Sequence, residues 1–177
     1  VKPAVMAFTQ KKNLVDNPMA VTGVKVATVE DIRWKNRNIK SIALLGQVLA
    51  KQQASENGAY EAWMVEDEMV TEGSSSTAYI VKDNKVITRP LSREILPGIR
   101  RKVLMRLAAE HQIQIEERAF SVAEARDADE AFLSSASVFV LPIIEIDGEP
   151  VAGGSPGPIA RRMREIYLDA ARAEAGL

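Results

Sequence analysis

The chain has 177 residues, 46% of them hydrophobic and 27% charged, with 23 Lys+Arg against 24 Asp+Glu and a net charge of −1. That is enough for one buried core, or one domain and a piece of another, with the composition of an ordinary globular protein. The near-neutral balance argues against a general affinity for nucleic acid or anionic membrane. The absence of cysteine excludes disulfides, thiolate metal sites and cysteine nucleophiles, while the single His111 excludes a histidine metal cluster and argues against a Ser–His relay. No run approaches the roughly 18 apolar residues of a membrane span and no signal-peptide pattern opens the chain, so a soluble cytosolic protein is the expectation.

The chain begins at Val1, and the alternation from Val1 to Phe8 reads as a strand already under way, as in a piece of a longer protein. Asp16-Asn17-Pro18 breaks it, and a linker is expected there. Val24 to Val29 has strand character. Ile39 to Gln53 then places Ile42, Leu45, Val48 and Leu49 at the spacing of a helix face, closed by Asn57-Gly58. Ala59 to Val65 alternates as a strand. The polar Thr71-Glu72-Gly73-Ser74-Ser75-Ser76 leads into a strand at Thr77–Val81, and Asp83-Asn84 turns it into a second one, Lys85–Thr88.

Leu96-Pro97-Gly98 opens a helix from Ile99 to about His111, and Gln112–Arg118 reads as a strand. Ser121 and Glu124 have the spacing of a capping box. Ala131–Ser134 and Val138–Ile146 are predicted strands separated by Ser135-Ala136-Ser137. Asp147-Gly148 turns the chain, a Gly/Pro-rich loop follows, and a last helix runs from Ile159 to about Ala173. Strands and helices interleave without regular βαβ units, so the expected class is α+β.

Four features carry possible chemistry, and each has a bland reading. The serine segment after Glu72 reads alone as a surface turn, and Lys40 as a solvated residue ahead of a helix. Leu96-Pro97-Gly98-Ile99-Arg100 is a turn and helix start whose free N–H groups and dipole also favour a phosphate. Ser135-Ala136-Ser137 either does nothing or offers N–H groups and hydroxyls to the same anion. Together they have one chemical meaning. A lysine amine able to form a Schiff base, a carboxylate able to hold a pyridinium nitrogen and two N–H-rich turns are what pyridoxal 5′-phosphate (PLP) chemistry requires.

Asp31-Ile32-Arg33-Trp34-Lys35-Asn36-Arg37-Asn38-Ile39-Lys40-Ser41, continued by Leu44 to Gln52, closely resembles the Schiff-base segment of the class IV (fold type IV) PLP-dependent aminotransferases. Thr71–Ser76, Ile95–Ile99 and Pro142–Gly148 match the same family at the expected spacing, so the resemblance covers nearly all of the chain from about Gly23. Within the class these segments are most similar to the D-amino-acid transaminases. The resemblance implies the large domain of that fold, a β-pseudobarrel with flanking helices. Residues 1–12 would be the last strand of a small N-terminal domain otherwise lacking here, 13–22 an interdomain linker and 23–177 the PLP-binding domain.

Carried onto this sequence, the resemblance implies that Lys40 is the Schiff-base lysine and the carrier of the α-proton. Glu72 would pair with the pyridine nitrogen and Leu96 would pack on the ring. Ile99 and Arg100, through their backbone, would hold the phosphate with Ser135 and Ala136, and Ser75 would stand on the substrate side. No metal is implied. The expected activity is amino-group exchange between D-amino acids such as D-alanine and 2-oxo acids such as 2-oxoglutarate, in a cytoplasmic homodimer. Three positions depart from the pattern: Thr77 where Asn is common, Ala136 in place of a frequent Thr, and Val138-Phe139 in place of a more polar pair. Alternatives are a branched-chain aminotransferase, an aminodeoxychorismate lyase, or a truncated non-catalytic relative. His111, Arg100-Arg101 and Arg161-Arg162 are expected to be solvated, and Trp34 and Trp63 to serve core or interface.

Overall fold

A computed structural model describes residues 4–11 and 13–176. Its strands, in chain order, are β1 (Val24–Glu30), β2 (Glu61–Glu66), β3 (Met69–Gly73), β4 (Thr77–Lys82), β5 (Lys85–Thr88), β6 (Ile115–Glu117), β7 (Glu130–Ser135), β8 (Phe139–Ile146) and β9 (Glu149–Pro150). The helices are α1 (Met19–Thr22), α2 (Leu45–Glu56), α3 (Ile99–Glu110), α4 (Val122–Arg126) and α5 (Pro158–Ala175). All strands join one mixed sheet in the order β3-β2-β1-β8-β7-β4-β5-β6, with β9 on β8. β1 runs parallel to both β2 and β8, and β5 runs parallel to β6, while the remaining pairings are antiparallel.

Alternation along the strands sorts side chains to two faces. One face of seven strands encloses a single apolar core, in which Val26, Trp63, Ile80, Leu133, Leu141 and Ile143 meet Phe120. On the outer face of β4, β5, β7 and β8, Tyr79, Val86, Phe132 and Val140 pack against Leu104 and Leu107 of α3 and Met163, Ile166 and Tyr167 of α5. Over β1 and β2, α2 lays Ala50 and Ala54 on Ala27, Val29, Ala62 and Met64. A sheet filled on one face and roofed by helices on the other is the expected α+β barrel-like architecture. Trp63 is wholly buried, edge-on to Phe120 at 5.9 Å, with its indole N–H unpartnered among the described residues. Among the described residues no helix is long and apolar enough to cross a membrane.

Four local expectations differ from the structure. The helix expected from Ile39 starts at Leu45, and the face read as its core stripe points outward, with Ile42 99%, Leu45 70%, Val48 58% and Leu49 49% exposed. The buried stripe is made of alanines, whose small size lets α2 lie close to the sheet. Thr71-Glu72-Gly73, read as a polar turn, belongs to β3, paired with β2. The strand expected at Gln112–Arg118 shrinks to Ile115–Glu117, because Gln112 turns with a positive φ of 58° and only the later residues pair with β5. Residues 4–11 are exposed and carry no strand, since no described strand lies beside them; residues 1–3 and 12 of that expected strand lie outside the described residues. Within the expected linker, α1 forms one turn after Asn17, whose side-chain oxygen accepts the Met19 N–H at 3.1 Å.

Candidate active site

Asp31 and Arg33 follow the end of β1. Alternate residues of an extended chain share a side, so both side chains turn toward β3. There Arg33 grips Asp31 through Nε and Nη2 at 2.9 and 2.7 Å and reaches Glu72 Oε1 with Nη1 at 2.6 Å. Thr71 Oγ1 donates to Asp31 at 2.6 Å, and Arg37 Nη1 lies 2.8 Å from Glu66 and 3.4 Å from Asp31. Asp31, Arg33, Arg37 and Glu72 all have side chains less than 8% exposed. A buried charge survives only with partners. Burial pulls the Asp31 carboxyl upward, but hydrogen bonds from Arg33 and Thr71 and the nearby guanidinium charges outweigh it and hold it below its usual value. Glu72 goes the other way: burial raises it, and Arg33 and the Leu96 N–H offset only part of that. Glu72 is therefore a buried carboxylate that retains appetite for a further hydrogen-bond donor.

Leu96 donates its N–H to both Glu72 oxygens, at 3.2 and 3.1 Å. Two residues on, Gly98 is the N-cap of α3, with no side-chain cap. The N–H groups of Ile99, Arg100 and Arg101 have no acceptor among the described residues, and the first regular helical bond runs from Lys102 N–H to the Gly98 carbonyl. The turn between β7 and β8 lies against this helix end, because Arg100 Nη2 donates to the Ala136 carbonyl at 3.3 Å. Ser135 and Ser137 are bonded to each other across that turn at 3.2 Å. One short segment, Leu96 to Arg100, thus joins a buried carboxylate at one end to a donor-rich cradle at the other. An aromatic nitrogen cation with a phosphate on its far side has that polarity.

The serines after Glu72 have a second owner. Glu61, buried in β2, accepts from the hydroxyls of Ser74, Ser75 at 2.9 Å and Ser76 at 3.1 Å, with Lys51 Nζ 3.6 Å away. Gly73 permits the tight return, since a Cβ there would sit 2.0 Å from Ser76 Oγ. The expected substrate-side Ser75 therefore has its proton committed to Glu61 and offers only lone pairs elsewhere.

Lys40 stands on the loop leading into α2, exposed and without a hydrogen bond or ion pair among the described residues. That loop is tied down at both ends. Arg37 N–H bonds to the Arg93 carbonyl at 2.8 Å, and Gly46 in the first turn of α2 lies so close to Arg33 that a Cβ would be 2.9 Å from its Cγ. Of the expected residues, the contacts bring Glu72 to Leu96, and Arg100 to Ala136 beside Ser135. Among the described residues, Lys40 and Ser75 have no hydrogen bond or ion pair to those pairs. Sequence reasoning gave Asp31 and Arg33 no role and passed over Glu61; the Asp-x-Arg spacing at a strand end was the available signal. Arg101, expected to be solvated, is buried, donating to Glu117 at 2.7 Å and to the Arg89 carbonyl at 3.2 Å. His111, Arg161 and Arg162 are exposed, as expected.

Comparison with known proteins bears on this geometry. The D-alanine aminotransferase of Staphylococcus aureus strain MSSA476 is 46% identical over 169 residues, 94% of this chain and 59% of the relative. The D-alanine aminotransferase of Bacillus licheniformis is 39% identical over 142 residues, 80% of this chain and 50% of the relative. The chain thus spans between half and three fifths of the length of these relatives. Among solved structures, a T.th. branched-chain amino acid aminotransferase with pyridoxamine 5′-phosphate superposes with a TM-score of 0.82 at 26% identity, over 91% of this chain and 54% of the other. The PLP-form enzyme of Thermobaculum terrenum gives 0.78 at 30% identity, over 86% and 52%. A sequence model of the amino-transferase class IV family matches residues 1–146, so it takes in the Lys40 loop, Glu72, the start of α3 and the serine turn together, and the chain belongs to that family.

Proposed function

We propose that this chain forms the cofactor-binding part of a PLP-dependent enzyme that transfers amino groups between D-amino acids and 2-oxo acids. The observation that carries the cofactor assignment is the segment Leu96–Arg100, which links buried Glu72 to the uncapped start of α3. The donor set fits the group: three free helix N–H groups and the Ser135–Ser137 turn suit a phosphate, and Glu72 suits a protonated ring nitrogen. When bound, PLP supplies an aldehyde for amine exchange and a ring that spreads negative charge away from an amino acid's α-carbon.

The residues then divide the work. Glu72 keeps the ring nitrogen protonated, and Arg33 and the Leu96 N–H hold that carboxylate in place. Leu96 supports the ring. The backbone N–H groups of Ile99 and Arg100 hold the phosphate with Ser135 and Ala136. Lys40, whose amine has no other partner among the described residues, is the nucleophile and afterwards carries the α-proton. Ser75 accepts a hydrogen bond on the substrate side. Preference for D-amino acids, D-alanine first, is supported by the 46% identity to a D-alanine aminotransferase, against 26–30% for the branched-chain enzymes cited above.

The reading includes a cytoplasmic homodimer. Ile42, Leu45, Val48 and Leu49 on and before α2, with Ile32, Trp34 and Ile39, expose an apolar surface that suits a second copy of the protein. The test of the central assignment is absorbance on the full-length protein. PLP addition gives a visible band that borohydride abolishes, and D-alanine but not L-alanine shifts it; Lys40→Ala removes it. A band that survives in Lys40→Ala names another lysine, and an equal response to L-alanine refutes the D-specific reading. Light scattering that finds a fully active monomer refutes the dimer.

A further inference from the structure

Arg100 follows the first residue of α3 and, unlike Arg101, which donates to Glu117, carries its guanidinium to the turn between β7 and β8. Its guanidinium carbon lies 4.6 Å from the ring centres of both Phe139 and Tyr167, and those rings are 5.1 Å apart. Nη2 donates to the Ala136 carbonyl at 3.3 Å, while Nε is buried without a partner among the described residues. Burial lowers the Arg100 pKa, the mark of a guanidinium stripped of part of its water.

Phe139 is unusual in its own right. It begins β8 with a φ of +63°, a left-handed conformation that a bulky aromatic residue rarely adopts. The carbonyls on either side of it, those of Val138 and Val140, accept from Arg164 Nη1 at 3.0 and 2.8 Å, and the Arg164 guanidinium lies 5.8 Å from the Phe139 ring. Arg164 is buried and also donates to the Leu14 and Val15 carbonyls at 2.8 and 2.9 Å. The strained residue is thus held from behind, with its ring presented to Arg100.

We propose that Arg100 is a positioning residue whose guanidinium, seated against the Phe139–Tyr167 ring pair, locks the start of α3 and the Ser135–Ser137 turn into one phosphate cup. This rests on the phosphate reading of that cradle and adds a role for the Arg100 side chain, which does not itself contact the phosphate. The two halves of the cup come from segments some 36 residues apart, 100 and 136, and the Arg100–Ala136 hydrogen bond ties them directly. Planarity matters as much as charge, because a flat guanidinium can lie against both rings while Nη2 reaches the Ala136 carbonyl.

The test compares PLP with pyridoxal, which lacks the phosphate, on the full-length protein freed of cofactor. In Arg100→Ala, PLP affinity falls roughly tenfold or more, the scale of well-placed dipole and hydrogen-bond contacts to an anion. Pyridoxal affinity changes less than about twofold. Arg100→Lys keeps the charge and still loses most of the effect. Phe139→Leu, which removes one ring of the pair, reproduces the selective loss if Arg100→Ala fails to fold. Equal weakening of both ligands, or an unchanged PLP affinity in Arg100→Ala, overturns the proposal. A wild-type protein that binds PLP no better than pyridoxal overturns the phosphate reading on which it stands.

Discussion

Two helices of the same molecule treat their apolar residues in opposite ways. α5 turns Ala160, Met163, Ile166 and Tyr167 into the sheet, and its first N–H groups are capped by buried Glu130, which accepts from Ile159 at 2.9 Å and Ala160 at 2.8 Å. α2 has no side-chain cap, buries only Ala50 and Ala54, and leaves Leu45, Val48 and Leu49 on the surface. α5 is held by packing. α2 is held by its alanine stripe and by the charged loop before it, where Gly46 fits against Arg33. An apolar stripe at helical spacing therefore says that a face is to be covered, and not that the chain itself covers it.

The contrast breaks most strongly at Asp31, the centre of the charge network beneath the loop that leads to α2. Asp31→Asn removes one partner of a buried pair and is expected to cost about 4 kcal/mol in urea unfolding at neutral pH. The Asp31 pKa is lowered in the folded protein, so its stabilisation is present above the usual 3.8 and is lost as pH falls through the lower folded value. Glu72, raised above 4.5, acts oppositely: its contribution is present in acid and is lost as pH rises through the raised value. Acid should thus loosen α2 before α5, read as faster hydrogen exchange over Leu45–Glu56 after correction for the intrinsic pH dependence. Simultaneous loosening of both helices would show that charge does not hold α2.

Next in size, Met163→Ala empties a fully packed site under α5 and is expected to cost about 3 kcal/mol in the same unfolding measurement. A cost as small as that of a surface change would remove the claim that packing holds α5. The smallest effect on folding belongs to α2: Leu45→Ala with Val48→Ala should change the stability of the isolated chain by less than about 0.5 kcal/mol. The same pair should weaken self-association of the full-length protein, seen as a shift toward monomer in light scattering on dilution. Undiminished association would move the second copy to another face.

Much of this was legible in the sequence. The alternation of Val24–Val29 and Ala59–Val65, the Asp83-Asn84 turn with φ of 49° and 62°, the Ser121 cap accepting the Glu124 N–H at 3.1 Å, and the start of α3 at Ile99 are all where local rules put them. Such features are decided within a few residues. What was not legible depends on partners distant in sequence. Glu72 reads as a polar turn until β2 pairs with it, and Arg101 reads as solvated until Glu117 arrives across the fold. The three serines read as a loop until Glu61, buried in β2, collects their hydroxyls. The resemblance that pointed to Lys40 and Glu72 gave their positions, but the guanidinium of Arg33 on Glu72 is a fact of packing.

The placement of the two tryptophans gives the molecule a pair of optical probes that answer different questions. Trp63, with no exposure and Phe120 on its edge, sits in a rigid hydrocarbon surround, so its emission should be blue-shifted and shielded from iodide until the sheet comes apart. Trp34, half exposed on the loop that leads to the apolar face of α2, should emit to the red and be quenched freely. When a partner settles on that face, only the second signal should change. The quenchable fraction of the fluorescence thus reads the covering of α2 separately from the integrity of the core, in one sample and without a label.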